Sequence, residues 1–175
     1  FNIFIRVNNI SLKYYIFKLE NIKMNKITGD LIALAQAGEF DVIIHGCNCF
    51  CTMGAGIAKI IKKEFPEAYH ADLNTISGDK EKLGRYSEAN IIRDDCNFII
   101  LNAYTQFNWR GQGIKAAYHA NRNVFKRVKQ NFPTAKIAYP MIGAGLAKGD
   151  WNMIATIIDE ELGDLDHRLV VLPTP

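Results

Sequence analysis

From residue 24 onward, short apolar runs alternate with segments whose apolar residues recur every three or four positions. Asp41–His45 (DVIIH), Phe98–Leu101 (FIIL), Ala135–Tyr139 (AKIAY) and Arg168–Leu172 (RLVVL) have the length and side chains of strands covered on both faces. Tyr86–Arg93 predicts a further strand. In Gly56–Phe65, Ile57, Ile60, Ile61 and Phe65 fall on one helical stripe, with Lys59, Lys62 and Lys63 mostly turned away. Ile114–Phe132 repeats the pattern with Ile114, Ala117, Val124, Val128 and Phe132. Trp151–Leu162 does so with Trp151, Ile154, Ile158 and Leu162, and Asp150 stands where an N-cap belongs. Leu31–Ala37 predicts a short helix capped by Asp30, and the polar stretch Gly78–Gly84 an exposed loop. Strands and helices in alternation predict one three-layer α/β domain.

Composition narrows the class. A chain of 175 residues with 49% apolar and 22% charged residues fits one folded domain and excludes a disordered polymer. No apolar run approaches the roughly 18 residues of a membrane-spanning helix, so no membrane partner is expected. Cys47, Cys49, Cys51 and Cys96 do not form the framework of a small secreted domain, which predicts reduced thiols and a cytoplasmic location. Residues 1–23 carry four basic groups and one acid, so the net charge of +3 lies there and the remainder is neutral. Direct nucleic-acid binding is therefore not expected. The stretch 1–23 is either a segment upstream of a start at Met24 or a β-hairpin rich in strand formers. Residues 24–175 form the predicted domain.

Two glycine-bearing turns follow strands and open helices. The first runs from His45 through Asn48 to Gly54-Ala55-Gly56-Ile57, and the second is Ile142-Gly143-Ala144-Gly145-Leu146, ending at Gly149-Asp150-Trp151. Unpaired amides at a helix start hold anions, and glycines admit a ligand close to the backbone. Neither turn matches a dinucleotide fingerprint or a Walker loop. Both sit at carboxyl ends of predicted strands, where open α/β sheets bind ligands.

These turns, with Thr28-Gly29-Asp30-Leu31 and Met53-Gly54-Ala55-Gly56-Ile57-Ala58, resemble those of a macrodomain over essentially Met24 to Leu172. The similarity is closest to bacterial and phage members akin to ADP-ribose-1″-phosphate phosphatases and terminal-ADP-ribose glycohydrolases. It implies a mixed, mostly parallel sheet between helices, with ADP-ribose or a derivative across the strand ends. The resemblance assigns Asp30 to the adenine amino group, with the Leu31 backbone beside the ring. Asn48 and Gly54, Ala55, Gly56 and Ile57 would hold the distal ribose. Ile142, Gly143, Ala144, Gly145 and Leu146 would wrap the diphosphate with amides, and Tyr104 would touch ribose or adenine. No cofactor is implied, and a monomer is expected.

Three activities remain open from the sequence. Hydrolysis of a 1″-phosphate needs an oriented water, for which Asn48, His45 and Asp150 are the candidates. By strand alternation His45 shares a face with Ile43, which also fits a buried role, and Asp150 also fits a plain cap. Removal of ADP-ribose from protein or nucleic acid, or of the acyl group from O-acyl-ADP-ribose, is the second reading. The related glycohydrolases use a lysine near the end of the central strand and an aspartate after the second glycine loop; here Ala103-Tyr104-Thr105-Gln106-Phe107 has no lysine and Ala147 follows Leu146. A module that only binds ADP-ribose is the third. Asn108-Trp109-Arg110-Gly111-Gln112-Gly113 is either a lid that reaches the 1″ group through Arg110 or a surface connection. The i, i+2 spacing of Cys47, Cys49 and Cys51, about 7 Å per step in a strand, is too wide for one zinc, and no metal is expected.

Overall fold

A computed structural model of the chain describes residues 24–173. The expectations for residues 1–23 lie outside them. Six strands form one sheet in the order β1-β6-β5-β2-β4-β3. They are β1 (Asn25–Thr28), β2 (Val42–Asn48), β3 (Tyr86–Ile92), β4 (Asn97–Gln106), β5 (Ile137–Tyr139) and β6 (His167–Val171). All neighbours run parallel except β3, which is antiparallel to β4 at the sheet edge. The α/β fold with a mixed, mostly parallel sheet is as expected.

Strand alternation sorts the core into two layers. Val42, Ile44, Leu101, Ala103, Ile137 and Tyr139 face α4 (Tyr118–Asn131) and α5 (Trp151–Leu162). Ile43, Phe98, Ile100 and Ala138 face the other side, where α1 (Leu31–Gln36), α2 (Gly56–Glu64) and α3 (Pro66–Leu73) lie. A side chain such as Ile43 or Ile44, fully enclosed, contributes about 1.5–3 kcal/mol by leaving water.

The main elements fall where periodicity puts them, with several differences. The stripe beginning at Ile114 becomes helical only at Tyr118, because the Lys115 and Ala116 amides bond the Ala147 carbonyl (2.8 and 3.2 Å). Pro66 opens a separate helix, α3, that periodicity does not announce: its buried residues are Ala68 and Asp72. The stretch Gly78–Gly84 is not simply exposed, since it carries a 3-10 turn, Lys80–Lys82, whose Lys82 is buried. Parallel β1, β2 and β5 all end at one edge of the sheet, and β2 and β5 are neighbours. That edge receives Asp30 and both glycine loops.

Candidate functional site

The first loop is braced from within. Asn48 Oδ1 accepts the Phe50 amide (2.8 Å), and its Nδ2 donates to Thr52 Oγ1 (2.7 Å). Cys51 and Met53 adopt left-handed backbone (φ 55° and 37°), an arrangement costly for residues with side chains. Burial of both side chains holds them there. Helix α2 then starts at Gly56, its N-cap Ala55 offers no side-chain bond, and the amides of Gly54, Ala55, Gly56 and Ile57 bond no acceptor among the described residues. They are donors awaiting an oxygen.

In the second loop the Ile142 and Ala144 amides close turns onto Pro140 and Met141, so not all five amides are available. Those of Gly143, Gly145 and Leu146 remain without acceptors among the described residues. The loop is pinned by the Gly149 amide bonding the Gly143 carbonyl (2.8 Å). A Cβ on Gly149 would lie 2.7 Å from both Ala116 Cβ and that carbonyl, so no larger residue fits. Leu146 is exposed and places Cδ1 3.7 Å from where a Cβ on Gly56 would sit, so the two loops face each other. Beneath them, a Cβ on Gly46 would come within 3.0 Å of Thr105 Oγ1 and 3.4 Å of Ile142 Cγ2.

Two carboxylates stand at the same strand-end edge. Asp30 Oδ1 caps α1 through the Ile32 and Ala33 amides (2.8 and 3.0 Å), and Leu31 behind it is buried. Asp150 Oδ1 caps α5 through the Asn152 amide (2.8 Å). Each cap occupies one oxygen and leaves the other free for a ligand.

His45 and Tyr104 are not at this edge. Both project to the α3 side, with His45 in phase with Ile43, and both are sealed from solvent. Asn102 Nδ2 donates to the Ala68 carbonyl (2.8 Å), which fixes its Oδ1 as acceptor for His45 Nε2–H at 2.7 Å. Burial lowers the His45 pKa to about 4, so the ring is neutral at pH 7 and cut off from a cleft water. Tyr104 lies inside β4 because that strand runs on to Gln106. Its hydroxyl donates to Asp72 Oδ1 (2.8 Å), and burial raises its pKa. These two expected site residues are therefore structural.

They belong to a buried polar network that the sequence did not reveal. Lys82 Nζ lies 3.4 Å from Asp72 Oδ1, 3.1 Å from Cys51 Sγ and 4.3 Å from the centre of the Tyr104 ring. Asp72 Oδ2 is buried with no partner among the described residues. The network thus ties α3 and the 3-10 turn to the left-handed Cys51 of the first loop. Burial also raises the thiol pKa values of Cys47 and Cys49, the latter to about 11. Among the described residues no three His, Cys, Asp or Glu side chains converge as a metal site.

The Macro domain family model matches residues 44–158, which span both glycine loops. The chain is a macrodomain. It is 41% identical over 151 residues (82% of this chain, 93% of the relative) to a 17.5 kDa protein from the tk-vs intergenic region of Enterobacteria phage T4. It is 26% identical to the ADP-ribose glycohydrolase OARD1 of Bos taurus, over 87% of this chain and 92% of that protein. An ADP-ribose 1″-phosphate phosphatase of Meyerozyma guilliermondii shares 43% identity over 47 residues, 27% of this chain and 26% of the relative. The macrodomain of Mycobacterium tuberculosis DarG superposes with a TM-score of 0.67 at 19% identity, covering 87% of this chain and 98% of that one. This last likeness confirms the fold of the macrodomain.

Proposed function

We propose that this macrodomain binds ADP-ribose across the strand ends and hydrolyses a phosphate from its 1″ position. The facing loops carry the reading: seven amides unbonded among the described residues, at Gly54–Ile57 and at Gly143, Gly145 and Leu146, offer donors without fixed cations to a dianionic diphosphate. Asp30 Oδ2 accepts the adenine amino group while Oδ1 keeps its cap. Asn48 has one Nδ2 hydrogen beyond its bond to Thr52, and this orients the ribose hydroxyl or the attacking water. The free oxygen of Asp150 completes the polar set. One water is consumed, and ADP-ribose and inorganic phosphate leave. With His45 excluded, the chemistry rests on positioning and amide electrostatics.

A glycohydrolase is the second reading, favoured by the near full-length match to OARD1. Against the lysine-dependent form of that chemistry, Lys82 is locked in the buried network and Lys115 Nζ donates to the Gln112 carbonyl at 2.9 Å. Phosphate release from ADP-ribose 1″-phosphate, with Asn48→Ala run beside the parent, tests the choice. Release that disappears in Asn48→Ala supports the phosphatase. No release from protein that binds ADP-ribose in a calorimeter rejects it and leaves the glycohydrolase.

A further inference from the structure

Cys51, Lys82 and Asp72 form a buried group that the proposed hydrolysis does not use. Lys82 is the only lysine buried among the described residues. Its ammonium stands 3.1 Å from Cys51 Sγ and 3.4 Å from Asp72 Oδ1, against the face of the Tyr104 ring. The sulfur in turn donates to the Asp72 carbonyl (3.2 Å) and lies 3.5 Å from Thr75 Oγ1. The second oxygen of the Asp72 side chain, Oδ2, is buried and has no partner among the described residues. An amine and a thiol are thus held in contact beside a carboxylate oxygen that still has room for a proton.

The other cysteines are set differently. Cys49 Sγ donates to the Gln106 carbonyl, and Cys47 packs 3.7 Å from His45 Nδ1. Burial raises both of these thiol pKa values, which keeps them in the unreactive protonated form. Cys96 precedes β4 and lies at the opposite end of that strand from the glycine loops. Cys51 is 7% exposed. That opening suits a reagent hardly larger than water, such as hydrogen peroxide, and shuts out the thiol of a second protein. A sulfenic acid formed on Cys51 has to condense within the molecule, and Lys82 Nζ is the amine in contact with it.

We propose that Cys51 and Lys82 are an oxidative crosslinking site, joined by a sulfur–nitrogen bond when a peroxide reaches the buried pair. Cys51 Sγ attacks one peroxide oxygen and the O–O bond breaks. Sulfur is oxidised to the sulfenic acid, and the other oxygen leaves as water with the thiol proton. Lys82 then passes one ammonium proton to Asp72 and attacks the sulfenic sulfur through Nζ. The S–N bond forms as the S–O bond breaks, and the hydroxyl leaves as a second water with a second nitrogen proton. One peroxide is consumed and two waters are released. The ion pair has become two neutral groups, so no uncompensated charge stays buried. The new bond spans a sequence separation of 31 residues and fastens the first glycine loop to the 3-10 turn, as a disulfide would.

Peptide mapping after one equivalent of hydrogen peroxide tests the site, with free thiols alkylated before digestion. It reads no ADP-ribose binding and so stands apart from the proposed function. The folded parent should yield a peptide pair joined through Cys51 and Lys82, two hydrogens lighter than its separate halves and uncut by trypsin at Lys82. Dithiothreitol should separate the pair. The same treatment of the parent unfolded in urea should lose the crosslink, because the contact exists only in the fold. Lys82→Arg keeps a cation beside Asp72 but offers no amine, so its Cys51 should run on to the sulfinic acid instead. A two-hydrogen loss that maps to a disulfide among Cys47, Cys49 and Cys51 overturns the proposal. So does a crosslink formed equally in urea or in Lys82→Arg, or a Cys51 that stays a free thiol in the folded parent while Cys96 is oxidised.

Discussion

Replacing Lys82 by methionine keeps most of the stem of a buried side chain and removes its charge. In the parent, Lys82 and Asp72 are 6% and 1% exposed, and Asp72 has the Tyr104 hydroxyl as its other donor, with Oδ2 unpartnered. The variant would bury a carboxylate with one hydrogen bond and no countercharge. Breaking a buried pair from one side costs about 3–5 kcal/mol, a large part of the roughly 5–15 kcal/mol that holds a domain folded. For a domain of this size that is a fall in melting temperature of about 6–20 °C. Urea denaturation followed by circular dichroism should give a lower midpoint with an unchanged slope. Adding Asp72→Asn should restore part of the loss, a coupling of about 0.5–3 kcal/mol. Cys51 loses its Lys82 contact as well, so ADP-ribose affinity should also weaken. A Lys82→Met protein within about 1 kcal/mol of the parent, or strictly additive single and double variants, would refute the network as a brace.

Three further outcomes follow from the same geometry. Asp30→Ala removes an N-cap and the proposed adenine acceptor together, so it should cost about 1 kcal/mol in stability and about tenfold or more in ADP-ribose affinity; an unchanged dissociation constant rejects the adenine role. Between pH 6.5 and about 4 the unfolded chain takes up a proton at His45 that the folded chain refuses, so stability is full above pH 6.5 and falls through that window. The loss is of order 3 kcal/mol, and His167, also lowered by burial, adds in the same sense. Urea midpoints across this range should flatten in His45→Gln, and an unaltered profile would contradict the buried neutral ring. Gly149→Ala should destabilise by at least 1 kcal/mol, since its Cβ would meet backbone at 2.7 Å; a neutral effect on the urea midpoint would contradict the packed second loop.

The layers and both glycine loops were legible because periodicity and glycine placement are local signals. Asp30 and Asp150 were readable as caps for the same reason. What escaped was decided between distant residues. Helix α3 turns Ala68 and Asp72 inward, so it has no apolar stripe to read. Lys82 lies in a polar stretch and is buried only because Asp72, ten residues earlier, and Cys51, thirty-one earlier, wait for it. The edge strand β1, NKIT, is mostly exposed and lacks an apolar run. His45 is a catalytic candidate by its place at a strand end, while its phase with Ile43 points it inward; its partner Asn102, 57 residues on, settles its place.

If the facing glycine loops are the ADP-ribose site, Gly145→Val should abolish binding without unfolding the protein. A Cβ there meets nothing within 4 Å, so the variant should fold with a parental circular dichroism spectrum and urea midpoint while its side chain fills the proposed diphosphate path. Calorimetric titration of both proteins with ADP-ribose should show binding in the parent and at least a hundredfold loss in the variant, about 2.7 kcal/mol. Equal binding by a folded Gly145→Val protein would place the ADP-ribose site elsewhere.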